Sequence, residues 1–137
     1  MAYNLLKGKK GIIFGALNDQ SIAWKVAEKA HEEGAQIVLS NTAVAMRLGN
    51  VDELAEKCNS IVVPADATNA TDVENLIAKS MDFFGGKFDF ILHSIGMSPN
   101  VRKGIPYDNI NYENYLKTID ISALSFHKVI QMCRKMD

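Results

Sequence analysis

Short, unbroken apolar runs alternate along this chain with longer stretches in which apolar residues recur at helical spacing. That alternation is the pattern of βαβ units, whose parallel strands are covered on both faces and carry no polar side. The runs Gly11–Phe14 (GIIF), Gln36–Ser40 (QIVLS), Ile61–Val63 and Phe88–His93 (FDFILH) predict four strands. Between the first two, Ile22, Ala23, Val26, Ala27 and Ala30 mark a helix over Ser21–Glu33, which Gly34 stops. Asn50, with Glu53 following at capping-box spacing, opens a short helix whose inner side is Leu54, Ala55 and Cys58. Thr71-Asp72-Val73-Glu74 reads as a capping box heading a third helix, with Val73, Leu76, Ile77 and Phe84 inward and Gly85-Gly86 at its end.

Met97–Asn111 is largely polar, contains Pro99, Gly104 and Pro106, and predicts a long loop. A last helix is expected over Tyr112–Met136, with Tyr115, Leu116, Ile119, Ala123, Phe126 and Ile130 forming its core-facing stripe. A second apolar set, Ile121, Leu124 and Met132, lies around the side of that helix. It meets either a partner subunit or a second layer of the same fold. Right-handed crossovers then give one Rossmann-type doubly wound parallel sheet over residues 1–137, an α/β fold with strand order 3-2-1-4.

Composition narrows the class. An apolar content of 47% with 23% charged residues is that of a folded globular chain. Lys and Arg number 15 against 16 Asp and Glu, so no net field selects nucleic acid or a membrane surface. No apolar run approaches the length of a bilayer span, and Met1–Lys10 has no signal-peptide core. Cys58 and Cys133 are two isolated thiols without metal-ligand spacing, which fits a reducing, cytoplasmic setting. His31 and His127 carry no metal pattern. His93 ends a strand and reads as a packed histidine, Trp24 as packing under a loop, and Lys7, Lys9 and Lys10 as a solvated lead-in to the first strand.

The chemistry is concentrated in three turns that such a topology gathers at the carboxyl edge of the sheet. The first runs from Gly15 to Ser21-Ile22, where a strand turns into a helix. A dinucleotide pyrophosphate needs close backbone approach, and a helix N-terminus offers free amides and the positive end of a dipole. The spacing is not a regular G-x-G-x-x-G, and a plain βα turn stays open as the alternative. The second turn is Asp66-Ala67, after the third strand, where a carboxylate and an amide suit the polar edge of adenine. As a lone feature Asp66 is more often a loop or cap residue. The third is Ser94-Ile95-Gly96, after the fourth strand, where Gly96 lets a ligand lie against the backbone.

Gly15-Ala16 followed by Ser21-Ile22-Ala23, together with Asp66, His93-Ser94-Ile95-Gly96 and Asp120-Ile121-Ser122, resembles the bacterial enoyl-acyl-carrier-protein reductases. These are a divergent branch of the short-chain dehydrogenases, and the resemblance runs from about Lys7 to Asp137. It implies Gly15, Ser21 and Ile22 on the pyrophosphate side, Asp66 and Ala67 at the adenine, and Thr42 facing the adenosine. It further implies Ile95 and Gly96 along the ribose and nicotinamide, and Ser98 bordering the acyl substrate. The activity implied is reduction of an enoyl thioester carried on acyl carrier protein. An enolate would form at the thioester oxygen, held by a catalytic tyrosine and the cofactor ribose. That tyrosine and its companion lysine are expected beyond Asp137, past a fifth strand. Tyr3 with Lys10, or with Lys7, mimics the pairing but precedes the first strand, at the wrong edge of the sheet.

The second strand ends Ser40-Asn41-Thr42 without the acid that normally binds the adenosine ribose, and Arg47 follows. Those residues leave NADP possible, whereas the resemblance implies NADH. It also implies a homo-oligomer, a tetramer. The competing readings are a non-catalytic nucleotide-binding module and another short-chain dehydrogenase/reductase. A receiver-like domain is excluded, because neither Phe14-Gly15 nor His93-Ser94 supplies its acidic cluster. As an edge strand, Phe88–His93 carries Asp89 as its only acidic residue, so the chain by itself is expected to self-associate. Without the tyrosine and lysine it is also expected to lack reductase activity.

Overall fold

The computed structural model describes residues 1–137. Four strands, β1 (Lys10–Phe14), β2 (Gln36–Ser40), β3 (Ile61–Val62) and β4 (Phe90–His93), form one parallel sheet in the order β3-β2-β1-β4. Ile12 lies between Val38 and Ile91, and Ile13 between Leu39 and Leu92. Consecutive strand side chains point to opposite faces, and both faces are covered, which is why these strands carry no polar alternation.

On one face Ile13, Ile37 and Leu39 pack under α1 (Ile22–Glu32) and α3 (Val51–Lys57), with Trp24, Ala27, Leu54 and Cys58 filling the layer. On the other, Ile12, Phe14 and Val38 meet α4 (Ala70–Phe84) and the C-terminal helix α7 (Ser125–Met136) through Val73, Leu76, Ile77 and Val129. Full burial of each such side chain contributes about 1.5–3 kcal/mol. The first two strands, α1 and α3, and the inner face of α4 therefore fall where the hydrophobic pattern puts them.

Helix α4 starts differently from the capping-box expectation. Its cap is Asn69, whose side chain accepts from the Asp72 amide at 3.1 Å, and Thr71 already lies inside the first turn. Its end is as expected: Gly85 takes a left-handed φ of 72° and returns its amide to Asp82. Asn50 does precede α3, but its amide group donates to the Glu53 carboxylate at 2.8 Å instead of capping the backbone. A six-residue helix, α2 (Ala43–Leu48), occupies a stretch in which sequence periodicity marks no element. None of its residues is buried, so no apolar stripe announces it.

Met97–Asn111 is not a bare loop. Ser98 caps α5 (Pro99–Arg102), and a 3₁₀ turn covers Tyr107–Asn109. Buried Asn100 staples the segment, donating to the Asn111 carbonyl at 3.0 Å and accepting from its amide at 3.1 Å. Two of the three lysines read as a solvated lead-in are held: Lys10, which opens β1, donates to the Phe84 carbonyl at 2.8 Å, and Lys9 pairs with Asp89 at 3.3 Å. Buried Glu33 ties down the N-terminal segment by accepting from the Tyr3 and Leu5 amides at 2.9 and 3.2 Å.

The last helical stretch is α6 (Tyr112–Ile119) and α7, joined by a π turn at Asp120–Leu124. Its expected core-facing stripe turns outward, and of the second apolar set Ile121 and Met132 turn inward while Leu124 stays exposed. Tyr115, Leu116, Ile119, Phe126 and Ile130 are exposed, whereas Ser125 and Val129 are buried and Ile121, Ser122 and Met132 half-buried. Both sides of this helix carry apolar residues, so periodicity alone does not choose between them. The hydroxyls of Ser122 and Ser125 find partners on the sheet side, which removes the usual cost of turning them inward.

Candidate functional site

Strand order reverses beside β1, so the carboxyl ends of β1 and β4 diverge into helices on opposite faces and leave a crevice between them. Gly15 closes β1 there. Its φ is +97°, and a Cβ in its place would overlap the Ser94 carbonyl oxygen, so glycine is what lets the turns after β1 and β4 touch. Its amide donates to the Ser40 carbonyl at 2.9 Å, and the Asn41 side chain donates to the Ala16 carbonyl at 2.9 Å, so the end of β2 braces the same turn.

Beyond Gly15 the chain forms a compact loop closed by Ser21. The Ser21 hydroxyl donates to the Asn18 carbonyl at 2.7 Å and accepts from the Leu17 amide at 3.2 Å, and the Ser21 amide is spent on the Asn18 carbonyl at 3.0 Å. Ser21 thus shapes the loop with both its groups. The unpartnered amides lie one step further on: the backbone N–H groups of Ile22, Ala23 and Trp24, at the start of α1, donate to nothing within the chain. The Ile22 side chain points outward and is 76% exposed.

Five of the residues singled out from sequence, Gly15, Thr42, Asp66, Ala67 and Ile95, line one narrow cleft at this edge, with Ile121 across from them. Thr42 caps α2, its hydroxyl accepting from the Ala45 amide at 3.3 Å. Asp66 is in part the loop residue that its lone reading allows: Oδ1 accepts from the Thr68 amide and hydroxyl at 2.9 and 2.7 Å. Its Oδ2 and the adjacent Ala67 amide have no partner in the chain. A free acceptor beside a free donor is the complement of an adenine edge. Arg47 is exposed on α2 and forms no ion pair, and the end of β2 carries no acid.

On the β4 side the peptide groups of Ile95 and Gly96 make no hydrogen bond, and a Cβ at Gly96 would meet open space. Ser98 lies outside the cleft, its hydroxyl accepting from the Val101 amide at 3.4 Å. His93 is a packed residue: its Nε2 sits 2.8 Å from the Ser125 hydroxyl, its ring meets Phe126 edge-on, and burial pushes its pKa down. Residues that sequence reasoning missed are Asn41 and Asn100, and Ser122 enters it only as part of the Asp120-Ile121-Ser122 motif, without a role. Each is a polar side chain whose partner is distant along the chain, and no local pattern gives such a residue its role.

A larger groove of about 700 Å³ runs between Leu5, Leu6, Ile22, Val26 and Ala30 on the far side of α1. Its exposed surface is mostly apolar; it reaches the first turn only at its far end, Gln20, Ser21 and Ile22, and includes no residue of the other two turns. Tyr3, Lys7 and Lys10 belong to the segment entering β1, at the edge opposite the cleft.

A parallel sheet of order 3-2-1-4, covered on both faces and with its polar turns gathered at the strand-reversal edge, is a Rossmann-type α/β fold. The chain belongs to the enoyl-(acyl carrier protein) reductase family, whose profile it matches over residues 15–137. It is 31% identical over 129 residues to an enoyl-[acyl-carrier-protein] reductase [NADH] of Rhizobium meliloti, covering 93% of this chain and 47% of that protein. It is 33% identical over 139 residues to the FabI of Rickettsia bellii, covering 99% of this chain and 52% of that protein. The FabI–NADH complex of Alistipes finegoldii superimposes with a TM-score of 0.97 at 72% identity, over 98% of this chain and 48% of that one. The chain spans about half the length of the relatives it matches.

Proposed function

We propose that this chain is the cofactor-binding part of an NADH-dependent enoyl-acyl-carrier-protein reductase, which reduces the trans-2 double bond of an enoyl thioester in fatty acid biosynthesis. The observation that carries the reading is the cleft itself: unspent amides and one unspent carboxylate oxygen at the strand-reversal edge, in a fold shared at 72% identity with an NADH complex. When bound, the reduced nicotinamide supplies the hydride for the enoyl β-carbon. The chain's own residues bind and orient. Gly15 admits the pyrophosphate to the backbone, and the amides at the start of α1, with its dipole, meet that anion. Asp66 Oδ2 and the Ala67 amide take the adenine edge, Thr42 borders the adenosine, Ile95 and Gly96 run along the nicotinamide side, and Ser98 borders the acyl substrate.

NADH is favoured over NADPH by the relatives, and Arg47 is the residue that would reverse the choice. Titration of the protein with both cofactors tests this: NADH binds more tightly, and Arg47→Ala leaves NADPH affinity unchanged. Comparable NADPH binding that is lost in Arg47→Ala overturns the assignment. No tyrosine or lysine of this chain lines the cleft, so residues 1–137 alone are expected to oxidise no NADH with a crotonyl thioester. Turnover by residues 1–137 would return Tyr3 with Lys10 to consideration.

The exposed stripe Tyr115, Leu116, Ile119, Phe126 and Ile130 supports a homo-oligomer in which α6 and α7 meet a second subunit. Sedimentation gives the assembly size, and a monomer at micromolar concentration removes this part of the proposal. No helix is long and apolar enough to cross a membrane, which is compatible with action on a soluble acyl carrier protein in the cytoplasm.

A further inference from the structure

The segment that follows β4 is pinned at both ends by serines of the last helical stretch. His93, at the end of β4, meets the Ser125 hydroxyl at 2.8 Å. Met97 is held more completely: the Ser122 hydroxyl accepts from the Met97 amide at 3.1 Å and donates to the Met97 carbonyl at 3.3 Å. Between these anchors Ser94 abuts Gly15, while the peptide groups of Ile95 and Gly96 make no hydrogen bond at all. Two residues of unspent backbone are thus stretched between two fixed points at the mouth of the cleft. Ser122 reaches Met97 from the π turn at Asp120–Leu124, where the wider winding interrupts the α-helical phase. The same turn sets Ile121 into the cleft that Ile95 lines.

We propose that Ser122 is a positioning residue for the nicotinamide half of the cofactor, holding the Ile95–Gly96 backbone in register with Gly15 through Met97. This rests on the dinucleotide reading of the cleft. The Ser122 hydroxyl bonds to Met97 and to none of Asp66, Ala67 and Thr42, so its influence falls on one half of the ligand. A serine that served packing alone would act on overall stability and on both halves equally.

The experiment compares NADH with ADP-ribose, which keeps the adenine and both phosphates but lacks the nicotinamide, by calorimetric titration of the complete protein. Ser122→Ala should weaken NADH by about tenfold, the loss of one hydrogen-bonded anchor, and leave ADP-ribose affinity near wild type, with only a small fall in melting temperature. Ser122→Thr, which keeps the hydroxyl, should restore NADH binding. Unchanged NADH affinity in Ser122→Ala, or an equal loss for both ligands, overturns the proposal. If Ser122→Ala fails to fold, the near-isosteric Ser122→Cys is read by the same criterion; if neither folds, the hydroxyl is a structural requirement and the proposal falls. Wild-type protein that binds neither ligand would instead overturn the dinucleotide reading.

Discussion

Asp66 shows how one side chain serves two roles with separate atoms. Oδ1 orders the turn through Thr68, while Oδ2 has no partner in the chain and Asp66 lines the cleft. Removing the carboxylate therefore has a binding consequence and a smaller structural one. Asp66→Ala should weaken NADH by about tenfold or more, from a charge-assisted hydrogen bond of roughly 1.5–3 kcal/mol. The stability cost should stay within about 1 kcal/mol, because the turn bonds it loses are solvent-exposed. Titration beside urea denaturation separates the two effects, and a stable variant with wild-type affinity would remove Asp66 from the site. Asp66 was legible in the sequence from its place after the third strand. The division between its oxygens depends on the Thr68 rotamer and on backbone geometry, which residue order does not specify. Ser21 differs from its sequence reading in the same way. Its hydroxyl and amide are consumed inside the loop, and the amides left open belong to Ile22, Ala23 and Trp24.

At the scale of elements, the boundaries that moved are those set by a single hydrogen bond. Thr71 and Asn69 are both competent caps by residue type, and Asn69 wins because the turn begun at Asp66 delivers its side chain to the Asp72 amide. Asn69→Ala should cost about 1 kcal/mol, and Thr71→Ala less than roughly 0.5 kcal/mol. Chemical denaturation of the two variants decides between the caps; an equal or larger loss at Thr71 contradicts the assignment. Helices α6 and α7 show a different limit. Their two apolar sides are alike in period, and the inward one is selected by hydroxyl partners at His93 and Met97, remote in sequence. The short α2 escapes sequence reasoning because it buries nothing, leaving only the Thr42 cap as a signal.

Across the whole molecule, packing converts burial into pH dependence. His93 is enclosed between Phe14, Phe126 and Ser125, and loss of solvent lowers its pKa from the usual 6.5. Its neutral form is favoured on folding, so the unfolded chain takes the proton first as the solution acidifies. This contribution to stability is complete above about pH 6.5 and is lost as pH falls through the lower folded value. The urea midpoint should accordingly drop on acidification below pH 6.5, and His93→Asn should flatten that window; an equally steep drop in the variant would place the effect elsewhere. A second window lies lower. Glu28 bridges α1 to α3 through Lys57 at 2.5 Å and is also paired with Lys25, and these cations bring its pKa from 4.5 to about 2. Because its folded pKa is depressed, the stability it supplies is present above pH 4.5 and disappears on acidification toward pH 2.

The amino-acid sequence by itself determined the fold class, the order of four strands, the faces of α1, α3 and α4, and the three turns that carry the candidate site. These follow from hydrophobic periodicity and crossover handedness, which are local or nearly so, and the order 3-2-1-4 emerges from them directly. Only the tertiary structure decided which polar groups at those turns are already spent and which side of α6 and α7 faces inward. It alone revealed that Asn41, Asn100 and Ser122 hold the loops around the cleft. Each of those outcomes turns on a hydrogen bond between residues far apart in the chain. A buried polar group is tolerated only where a partner arrives to satisfy it, and that arrival is a property of the assembled fold.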